Sequence, residues 1–196
     1  MLKKICVLTA TSLLFAASLL AQTVPSAIRG ALSLSAGAEG SNFNPDWGCA
    51  NSSIFSCGIN HLWGVAVVFD ADHIWRRVGV EGEARWLHWA GPPGVLRDSN
   101  YLLGPRYLAY RRRGLEADVK CLMGGSWTTL PYGAGSGSYF TIAPGGTLEY
   151  GITKKLVVRG DYEYQIWPSF SGIAGLPNKG LTPNGFSAGV KYRLIN

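Results

Sequence analysis

The stretch Leu156-Val157-Val158-Arg159-Gly160-Asp161-Tyr162-Glu163-Tyr164-Gln165-Ile166 decides the fold. Side chains of an extended strand alternate between its two faces. Leu156, Val158, Gly160, Tyr162, Tyr164 and Ile166 therefore share one face, and Val157, Arg159, Asp161, Glu163 and Gln165 share the other. One face is apolar and aromatic, the other almost wholly polar and charged. In a soluble sandwich the apolar face would be the core. In a membrane barrel it would meet lipid, and the charged face would fill the interior.

The pattern recurs outward in both directions. Phe186, Ala188, Val190, Tyr192 and Leu194 alternate with Ser187, Gly189, Lys191 and Arg193. Leu115, Ala117, Val119, Cys121 and Met123 alternate with Glu116, Asp118 and Lys120. Similar alternation marks 31–43, 78–89 and 138–152, and weaker alternation marks 61–69 and 99–111. With 115–130, 156–168 and 182–196 this makes eight strands, most of them near the roughly 9–11 residues of a tilted membrane strand. No segment shows sustained helical spacing.

The connections sort by parity. Those at 70–77, 112–114 and 153–155 are short. Those at 44–60, 90–98, 131–137 and 169–181 are mostly longer and rich in Gly, Pro, Ser and Asn. Short turns at one end and long loops at the other suit an outer-membrane barrel, and a sandwich has no reason for such sorting. Pro105 and Pro144 fall within strands beside glycines, where bulges or kinks are expected.

Composition agrees. The 196 residues carry 26 Gly, 7 Trp and 9 Tyr, and only 15% are charged, against about 25% for ordinary soluble domains. That balance excludes intrinsic disorder. The net charge of +6 is too mild to indicate a nucleic-acid partner. Residues 1–21 read as a cleaved secretory signal: Lys3 and Lys4, an apolar run from Ile5 to Leu20, then Ala21 before Gln22. Residues 22–30 form a short lead, and 31–196 the barrel domain. Cys49 and Cys57 flank the polar segment 50–56, where either a disulfide or two free thiols fits the spacing. Cys121 is expected as a buried or lipid-facing thiol.

The inward face collects Glu39, Glu81, Glu83, Glu116, Asp118, Glu149, Asp161 and Glu163 against Arg85, Arg106, Lys120, Arg159, Lys191 and Arg193. The set is close to neutral. A turn at 153–155 places Glu149 opposite Arg159, and one at 111–113 places Arg106 opposite Asp118. Eight strands leave an interior just wide enough for side chains, so a salt-bridged plug is expected ahead of an ion path. Trp63, Trp86, Trp89, Tyr101, Trp127, Tyr139 and Trp167 are expected in an aromatic girdle at the long-loop end, and Tyr110, Tyr150 and Tyr192 in one at the other end.

The terminal segment Ser187-Ala188-Gly189-Val190-Lys191-Tyr192-Arg193-Leu194 is similar to the assembly signal of small outer-membrane barrels. Leu103-Gly104-Pro105-Arg106 and Asp161-Tyr162-Glu163-Tyr164-Gln165 also look like their recurring strand motifs. On these segments the chain resembles the family typified by the OmpA transmembrane domain and OmpX. The resemblance implies an all-β, eight-stranded, antiparallel up-and-down barrel in the outer membrane. It implies contact with outer-membrane lipids and lipopolysaccharide, and handling by the barrel assembly machinery during insertion. It also implies a monomer without a periplasmic domain.

The expected function is a non-enzymatic structural or surface role with loops presented outward for adhesion, residues 44–60 leading. A narrow channel is the alternative. A lipid hydrolase, as in some barrels of this size, needs a base within reach of a serine. The histidines are His61, His73 and His88, and no such constellation can be assembled from them. No catalytic, cofactor-binding or metal-binding residue is assigned.

Overall fold

The computed structural model describes residues 32–46, 61–91, 94–129, 135–170 and 180–195. Eight strands, β1 (Ser33–Asn44), β2 (Leu62–Trp75), β3 (Val78–Gly91), β4 (Gly94–Arg112), β5 (Leu115–Thr129), β6 (Ser136–Gly151), β7 (Leu156–Tyr164) and β8 (Asn184–Ile195), follow one another in chain order. Each pairs antiparallel with the next, and β1 pairs with β8, so the sheet closes. Closure removes every edge, which a sheet in hydrocarbon requires.

The polarity is inside out. Trp63, Leu103 and Phe186 on the outer wall are 60–67% exposed, while Arg159 and Glu163 in the interior are 1% and 0%. The β7 alternation holds residue for residue, with Val157, Arg159, Asp161 and Glu163 buried and Leu156, Val158, Tyr162 and Tyr164 outward. Cys121 is a free thiol on the outer wall between Val119 and Met123. Cys49 and Cys57 lie outside the described residues, as do residues 1–31 and most of the 44–60 loop.

Two of the short turns are tighter than expected. Trp75 pairs with Val78, leaving only Arg76-Arg77 as the turn, with Arg76 at φ 55°. Arg112 pairs with Leu115 around Arg113-Gly114, at φ 51° and 82°. Positive φ at both central residues is the signature of a type I′ hairpin turn. The turn at 153–155 falls where the alternation placed it, with Glu149 opposite Arg159.

Four expectations are corrected. Strand β2 runs through 70–75 rather than ending at Phe69, with a register irregularity between Ala71 and Trp75. Residues 90–98 are not a long loop, since the β3–β4 ladder continues to Gly91↔Gly94. Strand β7 stops at Tyr164, and Trp167 turns into the barrel mouth. The prolines cause no bulge. Register is unbroken across Gly104-Pro105 (Leu103↔Met123, then Arg106↔Lys120) and across Pro144. Each proline instead leaves a gap in the ladder on one side, β4–β5 for Pro105 and β6–β7 for Pro144, since it offers no N–H. A bulge does lie between Leu108 and Tyr110, and together with the turn at Arg113-Gly114 it sets Asp118 opposite Leu108, two places from Arg106.

With a nitroxide on Cys121 of the C49S/C57S variant in lipid vesicles, collisions with dissolved oxygen are expected to exceed those with a water-soluble nickel chelate. The reverse order would put the outer wall in water.

Candidate functional site

Inward residues of all eight strands meet in one ionic network. Arg106 on β4 reaches Asp70 (2.8 Å), Asp118 (2.8 Å) and Glu149 (2.9 Å). Lys191 on β8 reaches Asp70 (2.7 Å) and Glu149 (2.6 Å). Arg159 on β7 joins Glu39 (2.7 Å), Glu81 (2.6 Å), Asp161 (3.0 Å) and Asp70 (3.2 Å). Lys120 on β5 joins Asp161 (2.7 Å) and Glu81 (2.8 Å), with Glu83 and Glu163 at 3.4 Å. Arg85 on β3 joins Glu83 (2.8 Å) and Glu163 (2.9 Å), its guanidinium 4.1 Å from the centroid of the Phe43 ring. An isolated buried charge is very costly, and these ions tolerate burial because each cation meets several carboxylates.

Backbone spacing makes room for them. Gly189 stands opposite both Glu39 and Arg159. A Cβ there would lie 2.0 Å from the Ala38 carbonyl oxygen. Only glycine lets β1 and β8 approach so closely beside two long ionic side chains.

Polar and apolar layers follow toward the long-loop end. Gln165 donates to Glu163 (2.8 Å), and the Trp167 indole donates to Gln165 (3.0 Å), so the network ends on a buried ring. Ser126 bonds Asn100 and Thr141. Phe43, Leu62, Leu87 and Leu96 form one buried apolar cluster, with Trp89 against it. Trp167, Phe170 and Leu181 form another, with Tyr139 stacked on Trp167 at 5.6 Å. Trp89, Tyr139 and Trp167 thus plug the mouth instead of joining the girdle. Trp63, Trp86, Tyr101 and Trp127 remain on the outer wall, as do Tyr110, Tyr150 and Tyr192 at the other end.

The charge expectation needs correction as well. Glu116 and Arg193 sit half-buried at the short-turn mouth and pair at 3.3 Å. The expected Arg106–Asp118 pair forms diagonally, with Arg106 opposite Lys120 and Asp118 opposite Leu108. Asp70 and Asp98, expected in connections, are both buried. Nine carboxylates and five cations are then fully buried, an excess of acid rather than near neutrality. Asp70, the anion shared by Arg106, Arg159 and Lys191, is the main residue that sequence reasoning missed. The signal was present: Ala66, Val68, Asp70 and Asp72 keep one parity.

Carboxylate oxygens of Glu83, Asp161 and Glu163 lie within 4.8 Å of one another, the spacing of a metal site. The Lys120 ammonium contacts all three at 2.7–3.4 Å, so a protein cation stands where an ion would. The histidines are dispersed. His61 contacts Asn42 (3.0 Å), His88 is exposed on the outer wall opposite Trp63, and His73 lies toward the short-turn end at φ 61°.

No family profile and no curated protein sequence matches the chain. Solved structures share its fold. Neisserial surface protein A is 10% identical with a TM-score of 0.57, over 83% of this chain and 97% of that one. The outer membrane protein OprG from Pseudomonas aeruginosa is 10% identical with a TM-score of 0.55, over 85% and 97%. The N-terminal β-barrel domain of Pseudomonas aeruginosa OprF is 15% identical with a TM-score of 0.52, over 83% and 97%. At such identities the likeness is one of fold: a closed eight-stranded barrel of the outer-membrane type.

Arg159→Met, which removes one cation and leaves its carboxylates buried, is expected to destabilise the barrel by about 3–5 kcal/mol. Urea titration of the vesicle-inserted protein measures this. Arg159→Lys should lose less, because a cation remains.

Proposed function

We propose that this chain is an integral outer-membrane protein that works as a closed wall element. In this reading it is non-enzymatic, anchors itself through its apolar exterior and presents its long-loop end outward for surface contact. The observation that carries the closed-wall reading is the filled lumen. Cations and carboxylates from all eight strands are engaged with one another, and two apolar clusters lie above them at the long-loop mouth. An ion path needs mobile water and weakly held charges, and these side chains are spent on each other.

The outward end supports a contact role through its rigidity. Strand β4 has 19 residues, well beyond what a membrane crossing needs, and its ladder with β3 continues to Gly91↔Gly94. A paired ribbon raised above the bilayer is a stiff mount for recognition, and functional residues commonly sit on such scaffolded protrusions. The narrow channel remains the second reading because charged groups occupy the lumen from the short-turn mouth up to the two apolar clusters.

Planar-bilayer recording decides between the two. The folded protein is expected to give no stable single-channel steps. Steps that disappear in E149Q or R159Q would make it a channel. Exchanging residues 44–60 for a two-residue turn is expected to spare folding and to abolish attachment of barrel-displaying cells to solid surfaces. Undiminished attachment would move the contact off that loop.

A further inference from the structure

The twelve acidic residues are distributed with a strong bias. Eleven face the lumen or its short-turn mouth, and only Asp46, at the long-loop end, is exposed. Basic residues outside the lumen show a different bias. Arg76, Arg77, Arg111, Arg112, Arg113, Lys154 and Lys155 are all exposed, and all lie on the three short turns or the strand ends beside them. Among the described residues only Arg111 of these seven is ion-paired, with Glu116 at 3.1 Å. At the long-loop end the described residues include one exposed cation, Arg97.

The seven lie on three neighbouring turns at one end of the barrel. Backbone hydrogen bonds tie the turns to their neighbours around the barrel: Gly151 N–H to Gly114 O (3.0 Å), Leu108 N–H to Arg77 O (2.9 Å) and Arg193 N–H to Lys155 O (2.8 Å). Directly above the rim is the lipid-facing wall, with Trp75, Tyr110, Tyr150 and Tyr192 outward. Two cations lie near these rings. Arg76 is 5.7 Å from the Trp75 centroid and Lys155 is 5.7 Å from the Tyr192 centroid, within the range of a cation–π contact.

We infer that the short-turn rim binds the phosphodiester headgroups of anionic phospholipids in the membrane leaflet at that end. The inference rests on the membrane reading proposed above. An exposed basic cluster next to a membrane-embedded segment attracts anionic lipid, and the attraction is screened by salt. The geometry favours a leaflet over an acidic protein. A protein docks on one side of a surface, whereas these cations are spread over three turns from β2 to β7 and abut the apolar belt. Headgroups anchored by their own acyl chains along the same belt would reach all three turns.

The test is native mass spectrometry of the full mature barrel, folded in detergent micelles with equal amounts of phosphatidylglycerol and phosphatidylcholine of identical chains. Retained phosphatidylglycerol is expected to exceed phosphatidylcholine by about threefold or more at low salt and to approach parity at high salt. The R76Q/R77Q/R112Q/R113Q/K154Q/K155Q variant should approach parity at low salt. Both R76K/R77K/R112K/R113K, which keeps the charge, and R97Q, at the other end, should retain the preference. Parity in the unaltered protein overturns the inference, and so does a preference that survives neutralisation of the six residues. Folding of every variant is checked by migration on an unboiled denaturing gel. Failure of the unaltered barrel to insert into vesicles would strike the membrane reading instead, and is seen separately.

Discussion

Everything in this barrel depends on opposite charges meeting where water is scarce. Its outer wall is apolar, so each strand must turn its ionic side inward, and eight strands leave an interior only as wide as the side chains that fill it. Ions confined there must satisfy one another. Arg159 does this across the lumen, holding Glu39 from β1, Asp70 from β2, Glu81 from β3 and Asp161 from its own strand. Lys191 holds β2 and β6 from β8 in the same way. These contacts exist only if the sheet is closed, and closure is tolerable only if they exist. The β1–β8 seam shows the dependence at one residue, Gly189, whose missing side chain lets the β1 backbone come close where Glu39 and Arg159 flank it.

Such mutual dependence explains what could be read from the chain and what could not. Period-two alternation is a local property, so β5, β7 and β8 and the inward set they carry were legible without knowing their partners. The 153–155 turn was legible for the same reason, because its length sets the register of Glu149 against Arg159. Where strands end is not local. Asp70 and Asp72 look like turn residues beside Arg76-Arg77, and become strand because Ser35 and Ser33 pair with them, with Glu81 on the other side of Asp70. Gly91-Pro92-Pro93-Gly94 reads as a loop, yet Leu96 behind it is drawn into a cluster with Phe43, Leu62 and Leu87 from β1, β2 and β3. Trp167 has the composition of a girdle residue. Its inward position follows the parity of Glu163 and Gln165, and it is fixed there by packing with Tyr139, Phe170 and Leu181 and by the bond to the Gln165 amide.

The bulge between Leu108 and Tyr110 is a useful intermediate case. With the turn at Arg113-Gly114 alone Asp118 would stand opposite Ala109, and the bulge moves it one place, opposite Leu108 and two places from Arg106. The Arg106–Asp118 contact nevertheless forms at 2.8 Å, because a guanidinium on a long side chain can reach diagonally across a strand pair. Charge complementarity in a narrow lumen is therefore tolerant of register, whereas the alternation of faces is not. A slip of one residue would turn an ionic row toward lipid, where a charge has no partner.

Placing the carboxylates inside has a consequence for the outside. With eleven of twelve acids committed to the lumen and its mouth, the exterior has almost no anion with which to balance its cations. Among the described residues the exposed arginines and lysines of the short turns, next to the apolar belt, lack acidic partners apart from Arg111, which pairs with Glu116. The two ends of the barrel thereby become chemically unlike. One is closed by buried aromatic and aliphatic side chains, and the other is polar and basic. A cylinder with such ends has a preferred direction in a bilayer whose leaflets differ in charge. The asymmetry follows from the same rule that packs Arg159 among carboxylates: in this fold negative charge is kept in, and what remains outside is positive.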